Sequence, residues 1–141
     1  MTKIREASKF QYEMLIKENH LDSFGHVNNA VYMQIFEEAR WEFITNNGFG
    51  LTEIHSQKKG PIVLEANLKF LKELKLREKI IIETICVEAK SKILKLTQKI
   101  LNSKNEICTV AEFVIAFFDL QTRKIINPPS EWLEAVGVEL E

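Results

Sequence analysis

One stretch of sequence decides how this chain folds: Asp22-Ser23-Phe24-Gly25-His26-Val27-Asn28-Asn29-Ala30-Val31-Tyr32. It opens the only long helical pattern in the chain, from Asn29 to about Asn47, where apolar residues recur at three- and four-residue steps. Asn28 is the predicted N-cap, because its side chain can accept a hydrogen bond from a free backbone N–H of the first turn. Asn46-Asn47-Gly48 predicts a left-handed stop at the C-terminal end. The expected apolar stripe of this helix is Val31, Tyr32, Ile35, Phe36, Ala39, Phe43 and Ile44.

The rest of the chain follows the two-residue period of β-strands. One strand is predicted before the helix, over residues 10–17, and four after it, over residues 61–70, 80–87, 93–101 and 108–118. Connections of hairpin length among the last four strands imply an antiparallel sheet, against which the helix buries its stripe. The fold class is therefore α+β, with a short helical turn at 51–58. In the 61–70 strand we expect one unbroken apolar face made of Ile62, Leu64, Ala66, Leu68 and Phe70.

The composition is that of a soluble globular domain, and we expect residues 1–141 to form a single one. Its net charge of −1, with 45% hydrophobic and 28% charged residues, gives no indication of nucleic acid or membrane as a partner. Residues 1–9 lack the apolar core of a secretion signal. Cys86 and Cys108 lie in separate apolar runs, which predicts buried, reduced thiols and a cytoplasmic protein. No His/Cys cluster in the sequence predicts a metal site.

The chemistry of the opening stretch comes from an acid placed just before a helix. The first turn of a helix has backbone N–H groups without partners, and these can stabilise the negative charge that forms on a carbonyl oxygen under attack. Asp22, in the preceding loop, can attack the carbonyl carbon or activate a water molecule. Gly25 permits a sharp turn or a close approach to a ligand. Together these groups are sufficient for acyl transfer to water.

The same residues resemble a known signature. Residues 22–29, followed by Tyr32 and by Phe36-Glu37-Glu38-Ala39-Arg40, are similar to hot-dog-fold acyl-CoA thioesterases of the 4-hydroxybenzoyl-CoA thioesterase type. The order of elements over residues 10–128 also resembles that fold, in which an antiparallel β-sheet wraps around one long central α-helix. Phe118-Asp119, Arg123 and Pro128 resemble the family's last strand and exit.

The resemblance implies a role for each position of the motif. It places the catalytic carboxylate, as nucleophile or general base, at Asp22, and the backbone N–H that holds the thioester carbonyl at Asn29. Gly25 falls on the glycine of the turn, and His26, Asn28 and Tyr32 are expected to shape the substrate-binding site. Many members carry a second acid two residues before the catalytic one, where this chain has His20.

The expected activity is hydrolysis of an acyl-CoA thioester, without metal or cofactor, by a homodimer or homotetramer with sites between subunits. Acyl-carrier protein stays open as the thiol carrier. Two rivals remain: a hot-dog hydratase or dehydratase, and a non-catalytic acyl-CoA-binding protein on the same fold. The lyases need an acid and a histidine in a different local motif, which the spacing from Asp22 to His26 does not match.

Overall fold

The structure is a computed structural model that describes residues 9–139. Residues 1–8, on which most of the expectation about a secretion signal rests, lie outside this range. The described chain forms a single antiparallel sheet and three α-helices. Their bounds are β1 Phe10–Leu15, α1 Asn29–Asn46, α2 Leu51–Gln57, β2 Lys59–Phe70, β3 Lys79–Lys90, β4 Ile93–Leu101, β5 Ile107–Asp119, β6 Lys124–Ile126 and α3 Ser130–Ala135.

The strands lie in the order β1-β3-β4-β5-β2, and β6 adds to the far end of β5. Every neighbouring pair is antiparallel, which confirms the predicted α+β class. The sequence pattern did not predict β6, because its three residues are too few to show a two-residue period. β1 and β2, the two strands nearest to α1 in sequence, lie at opposite edges of the sheet.

The predicted central helix is confirmed almost residue for residue. Six of the seven predicted stripe positions are buried, and the seventh, Val31, is partly buried against the same core. The helix is capped as expected at its start, where Ala30 N–H donates to Asn28 Oδ1 at 2.9 Å. At its end Gly48 adopts a left-handed φ of +92°, and Phe49 N–H returns to Ile44 O at 2.8 Å. Local capping chemistry therefore sets both ends of α1.

The expectation of an unbroken apolar face on β2 is wrong. The register with β5 shifts between Val63 and Glu65, so Leu64 is the extra residue of a β-bulge. A bulge moves the alternation of side chains onto the other face of the strand. Val63 and Leu64 are each 43% exposed, and Phe70 is 52% exposed. Since β2 is an edge strand, its apolar side chains meet solvent in the single chain.

A polar network crosses the interior between α1 and the sheet. The fully buried Gln98 amide accepts from Arg40 Nη1 at 2.9 Å and donates to Phe36 O and Thr84 Oγ1 at 3.1 and 2.9 Å. The Arg40 guanidinium also lies 4.3 Å from the centre of the Phe113 ring. Burial lowers the pKa of Arg40 to about 10, although the nearby charge of Glu37 opposes this effect. Arg40 therefore stays charged at neutral pH inside a mostly apolar layer.

Both cysteines are buried and unpaired, as predicted. Burial raises the pKa of the Cys86 thiol to about 11, so this group stays protonated and unreactive at neutral pH. Within residues 9–139, no helix combines the length and the apolar character that crossing a membrane requires.

Candidate active site

The loop before α1 is a small closed hairpin. Leu21 and Val27 form an isolated antiparallel bridge, and Asp22 N–H donates to His26 O at 2.7 Å. Gly25 closes the turn with a φ of +82° and donates its N–H to Asp22 O at 3.1 Å. No heavy atom lies within 4 Å of the point where a Cβ of Gly25 would be. The glycine therefore serves the backbone conformation of the turn and not close packing.

The loop's own backbone fixes the carboxylate of Asp22. One oxygen, Oδ1, accepts from Phe24 N–H at 2.9 Å and from His26 N–H at 3.1 Å. Within the described residues the other oxygen, Oδ2, accepts no hydrogen bond. The half-buried side chain is thus held by one oxygen and keeps the other for a ligand or a water molecule.

The start of α1 has one free amide. Ala30 N–H is taken by the side chain of Asn28, and Val31 N–H donates to Asn28 O at 2.9 Å. Asn29, the first helical residue, donates its N–H to no acceptor among residues 9–139. Such a group attracts an oxygen that carries partial negative charge. The amide of Asn29 is therefore available to a ligand carbonyl.

A cleft of about 340 Å³ lies beside this first turn. It brings together three of the predicted site residues: His26, Asn29 and Tyr32. The other three, Asp22, Gly25 and Asn28, belong to the hairpin and the cap that border the helix start, and they do not line the cleft.

Tyr32 is a buried residue that lines this cleft. It is 6% exposed and meets the ring of Phe70 edge to face, with 4.8 Å between the ring centres. Burial raises the pKa of its hydroxyl, with smaller effects from Cys108 and Glu73. Tyr32 is therefore a neutral hydroxyl at physiological pH and can donate a hydrogen bond.

The sequence did not reveal that Glu73 also reaches the cleft. Leu71 N–H and Lys72 N–H both donate to Cys108 O, at 2.8 and 3.0 Å, which fixes the β2–β3 connection beside the helix start. Glu73 Oε1 then lies 3.5 Å from His26 Nε2 at the cleft, where both side chains are largely exposed. This contact joins residues far apart in sequence, so no local pattern marks it.

His20, two residues before Asp22, has a local partner. Its Nδ1 accepts from Lys17 N–H at 2.9 Å within the short 3₁₀ turn Glu18–His20. The His20 side chain therefore acts as a hydrogen-bond acceptor for the backbone of this turn.

Known proteins resemble this chain over most of its length. A family model described as the thioesterase-like superfamily matches residues 16–136. The long-chain acyl-CoA thioesterase FadM of Escherichia coli (strain K12) is 29% identical over 127 residues, which cover 88% of this chain and 94% of that protein. A chloroplastic acyl-acyl carrier protein thioesterase of Arabidopsis thaliana is 30% identical over 73 residues, 52% of this chain. The match spans only 38% of the length of that plant protein.

Solved structures show the same arrangement of strands and helices. A Staphylococcus aureus protein solved in complex with CoA superposes with a TM-score of 0.85 at 18% sequence identity, over 96% of this chain and 85% of that one. At this level of identity the likeness concerns the fold, and it confirms the predicted hot-dog arrangement.

Proposed function

Because this chain belongs to the thioesterase-like superfamily, we propose that it hydrolyses an acyl-CoA thioester to a carboxylic acid and free coenzyme A. One observation carries the proposal: a single short loop holds a carboxylate by one oxygen and leads directly into a helix whose first amide is free. The activities named for FadM and for the plant relative support the same reaction class.

We assign the chemistry to Asp22 and the amide of Asn29. Asn29 N–H donates to the thioester oxygen and stabilises the negative charge that develops there. Asp22, through Oδ2, acts in one of two ways. As a general base it takes a proton from a water molecule that attacks the carbonyl carbon. As a nucleophile it forms a mixed anhydride and releases the CoA thiolate, and water then cleaves the anhydride to regenerate the carboxylate.

The other motif residues shape the backbone and the cleft around these two groups. Gly25 allows the turn that presents Asp22, and Asn28 occupies the second amide of the helix so that only the first stays free. Tyr32 and His26 line the cleft beside the amide of Asn29. Glu73 joins them as a second carboxylate, with its Oε1 3.5 Å from His26 Nε2.

We propose a homodimer as the working unit, formed through the edge of β2. A long edge strand with apolar side chains is a surface that another strand readily covers. Val63, Leu64 and Phe70 are exposed along this edge in the single chain. Pairing of β2 with β2 of a second copy would also bring the cleft at Phe70 close to the partner. The buried, reduced cysteines fit a cytoplasmic location.

The direct test is replacement of Asp22 by Asn, which keeps the size of the side chain and its acceptor oxygen. We expect kcat for thiol release from acyl-CoA to fall by about 10²-fold or more. Ser23→Ala, in the same loop, is the matched control and should leave kcat within about twofold of wild type. Near-wild-type hydrolysis by a folded Asp22→Asn protein would show that another group does the chemistry.

The acyl group and the thiol carrier need a separate experiment. A thiol-release screen should include short, long and aromatic acyl-CoAs together with one acyl-acyl carrier protein. Thiol release from at least one of these supports hydrolysis. Binding without thiol release supports a non-catalytic binding protein, and addition or loss of water across a double bond supports a lyase.

A further inference from the structure

A second cavity, of about 280 Å³, lies along the C-terminal half of α1. It shares no lining residue with the cleft at Asn29. At a helical rise of about 1.5 Å per residue, its closest part, at Glu37, is roughly 12 Å from Asn29 along the helix axis. Its walls are mostly apolar and include Trp41, Phe43, Ile62, Leu96, Ile115 and Trp132.

Two charged residues, Glu37 and Arg40, interrupt these walls, and Arg40 is the cation. Its guanidinium makes a single hydrogen bond within residues 9–139, to Gln98, although arginine has five N–H donors. Among residues 9–139, two side-chain polar atoms are fully buried and have no hydrogen-bond partner, Thr109 Oγ1 and Trp132 Nε1. No nitrogen of Arg40 is one of them. The remaining nitrogens of Arg40 are therefore accessible, and they have donors to offer where Arg40 lines the cavity.

The acid that shares the cavity forms no ion pair with this cation in the described structure. This acid is Glu37, and it is exposed. A half-buried guanidinium with unused donors is well suited to a carboxylate, which can accept two parallel N–H bonds. The apolar walls suit a hydrocarbon body.

We propose that this cavity binds an apolar carboxylate, with the carboxylate on Arg40 and the hydrocarbon against Trp41 and Trp132. At roughly 30 Å³ per water-sized group, the cavity holds about nine such groups, which is the size of octanoate or phenylacetate. This binding site is separate from the proposed reaction at Asp22. Its ligand has two possible sources: a free carboxylic acid, or the carboxylate end of an acyl group that is still joined to its thiol carrier.

The first arm of the test measures octanoate binding to the full chain by tryptophan fluorescence. Both tryptophans of the chain, Trp41 and Trp132, line the cavity and report on its occupancy. We expect saturable binding that is about tenfold or more tighter for octanoate than for 1-octanol, because only the acid forms a charged hydrogen bond with Arg40. This comparison uses the wild-type protein alone.

Variants then assign the effect to Arg40. Arg40→Met should abolish the preference for octanoate over 1-octanol, and Arg40→Lys should retain part of it. Arg123→Met is the matched control, because Arg123 also lies over an aromatic ring, Phe118, at 5.2 Å but does not line the cavity. It should bind octanoate within about twofold of wild type.

The second arm identifies the source of the ligand. The rates of thiol release from dodecanoyl-CoA and from its ω-carboxylated counterpart, a chain long enough to extend from Asn29 towards Arg40, are compared in wild type and in Arg40→Met. A wild-type preference for the ω-carboxylated substrate that Arg40→Met removes assigns the cavity to the acyl group. Arg40-dependent octanoate binding without that preference assigns it to free acid.

Equal binding of octanoate and 1-octanol by the wild-type protein, together with no ω-carboxylate preference, would overturn the proposal. The binding arm uses no thioester, so its result is independent of whether Asp22 is catalytic. Conversely, a protein that binds octanoate through Arg40 but hydrolyses nothing would contradict only the proposed function.

Discussion

At the scale of single residues, Gly25 connects a backbone angle to the proposed chemistry. Its φ of +82° belongs to a region that residues with a Cβ rarely adopt, while the space around it is open. Gly25→Ala should therefore lower the free energy of unfolding by about 1–2 kcal/mol through backbone strain alone. Since the turn also holds Asp22, we expect kcat to fall in the same variant. Urea unfolding and thiol release measure the two effects.

Gly48 is the matched control for this prediction. It also has a positive φ, of +92°, and open space around it, but it lies at the opposite end of α1. Gly48→Ala should lose similar stability and keep its kcat. An equal loss of kcat in both variants would mean that strain acts through global stability and not through the loop.

A second prediction at this scale concerns the pKa of Tyr12. Tyr12 O–H donates to Glu38 Oε2 at 2.6 Å, and this bond, with burial and the charges of Glu38 and Glu42, raises the pKa of Tyr12 to about 12 from the ordinary value of 10.0. A raised folded-state pKa gives stability that is fully present below pH 10 and is lost as the pH rises towards 12. Ultraviolet titration of a Tyr32→Phe protein isolates Tyr12. A folded-state midpoint near that of the urea-unfolded protein would refute the hydrogen bond.

Single residues also mark the limit of sequence reasoning. The turn at Gly25 and the cap at Asn28 were predictable because each acts on its immediate neighbours. Glu73 and Arg40 were not recognised as parts of a cleft and a cavity. Their surroundings come from strands far away in sequence. Arg40 ends the Phe36–Arg40 part of the signature, but the resemblance gave it no role, and Glu73 lies outside the signature.

At the scale of elements, α1 depends on its N-cap for stability and for the geometry of its first turn. Asn28→Ala removes the acceptor of Ala30 N–H and should lower the free energy of unfolding by about 1 kcal/mol. Asn28→Ser, which can still cap, should recover most of that loss. Chemical denaturation of both variants tests the difference, and equal stability of the two would mean that the cap contributes little.

The strands were less predictable than the helix. Capping signals and a 3.6-residue period specify α1 locally, and its stripe followed the sequence closely. The bulge at Leu64 depends on how β2 pairs with β5, which alternation within one strand does not reveal. The sequence pattern therefore predicted that β2 is a strand, but it did not predict which side chains of β2 are exposed.

At the scale of the whole molecule, the β2 edge should control assembly. Leu64→Lys places a charge on the apolar edge and should convert the proposed dimer into a monomer, as measured by sedimentation. Val87→Lys is the matched control, since Val87 is also the extra residue of a bulge and is 48% exposed, but lies on β3. It should leave the sedimentation coefficient unchanged. A dimer that survives Leu64→Lys would require an interface elsewhere.

The pairing of β2 with β5 also has a consequence for the order of folding. Phe70 pairs with Thr109 and Lys59 with Asp119, so each contact of this ladder closes a loop of about 40 to 60 residues. During translation β2 leaves the ribosome well before β5, the strand with which it pairs. In contrast, β3, β4 and β5 can pair with one another as successive hairpins. The nascent chain thus carries β2 as an unpaired apolar strand until β5 has been made.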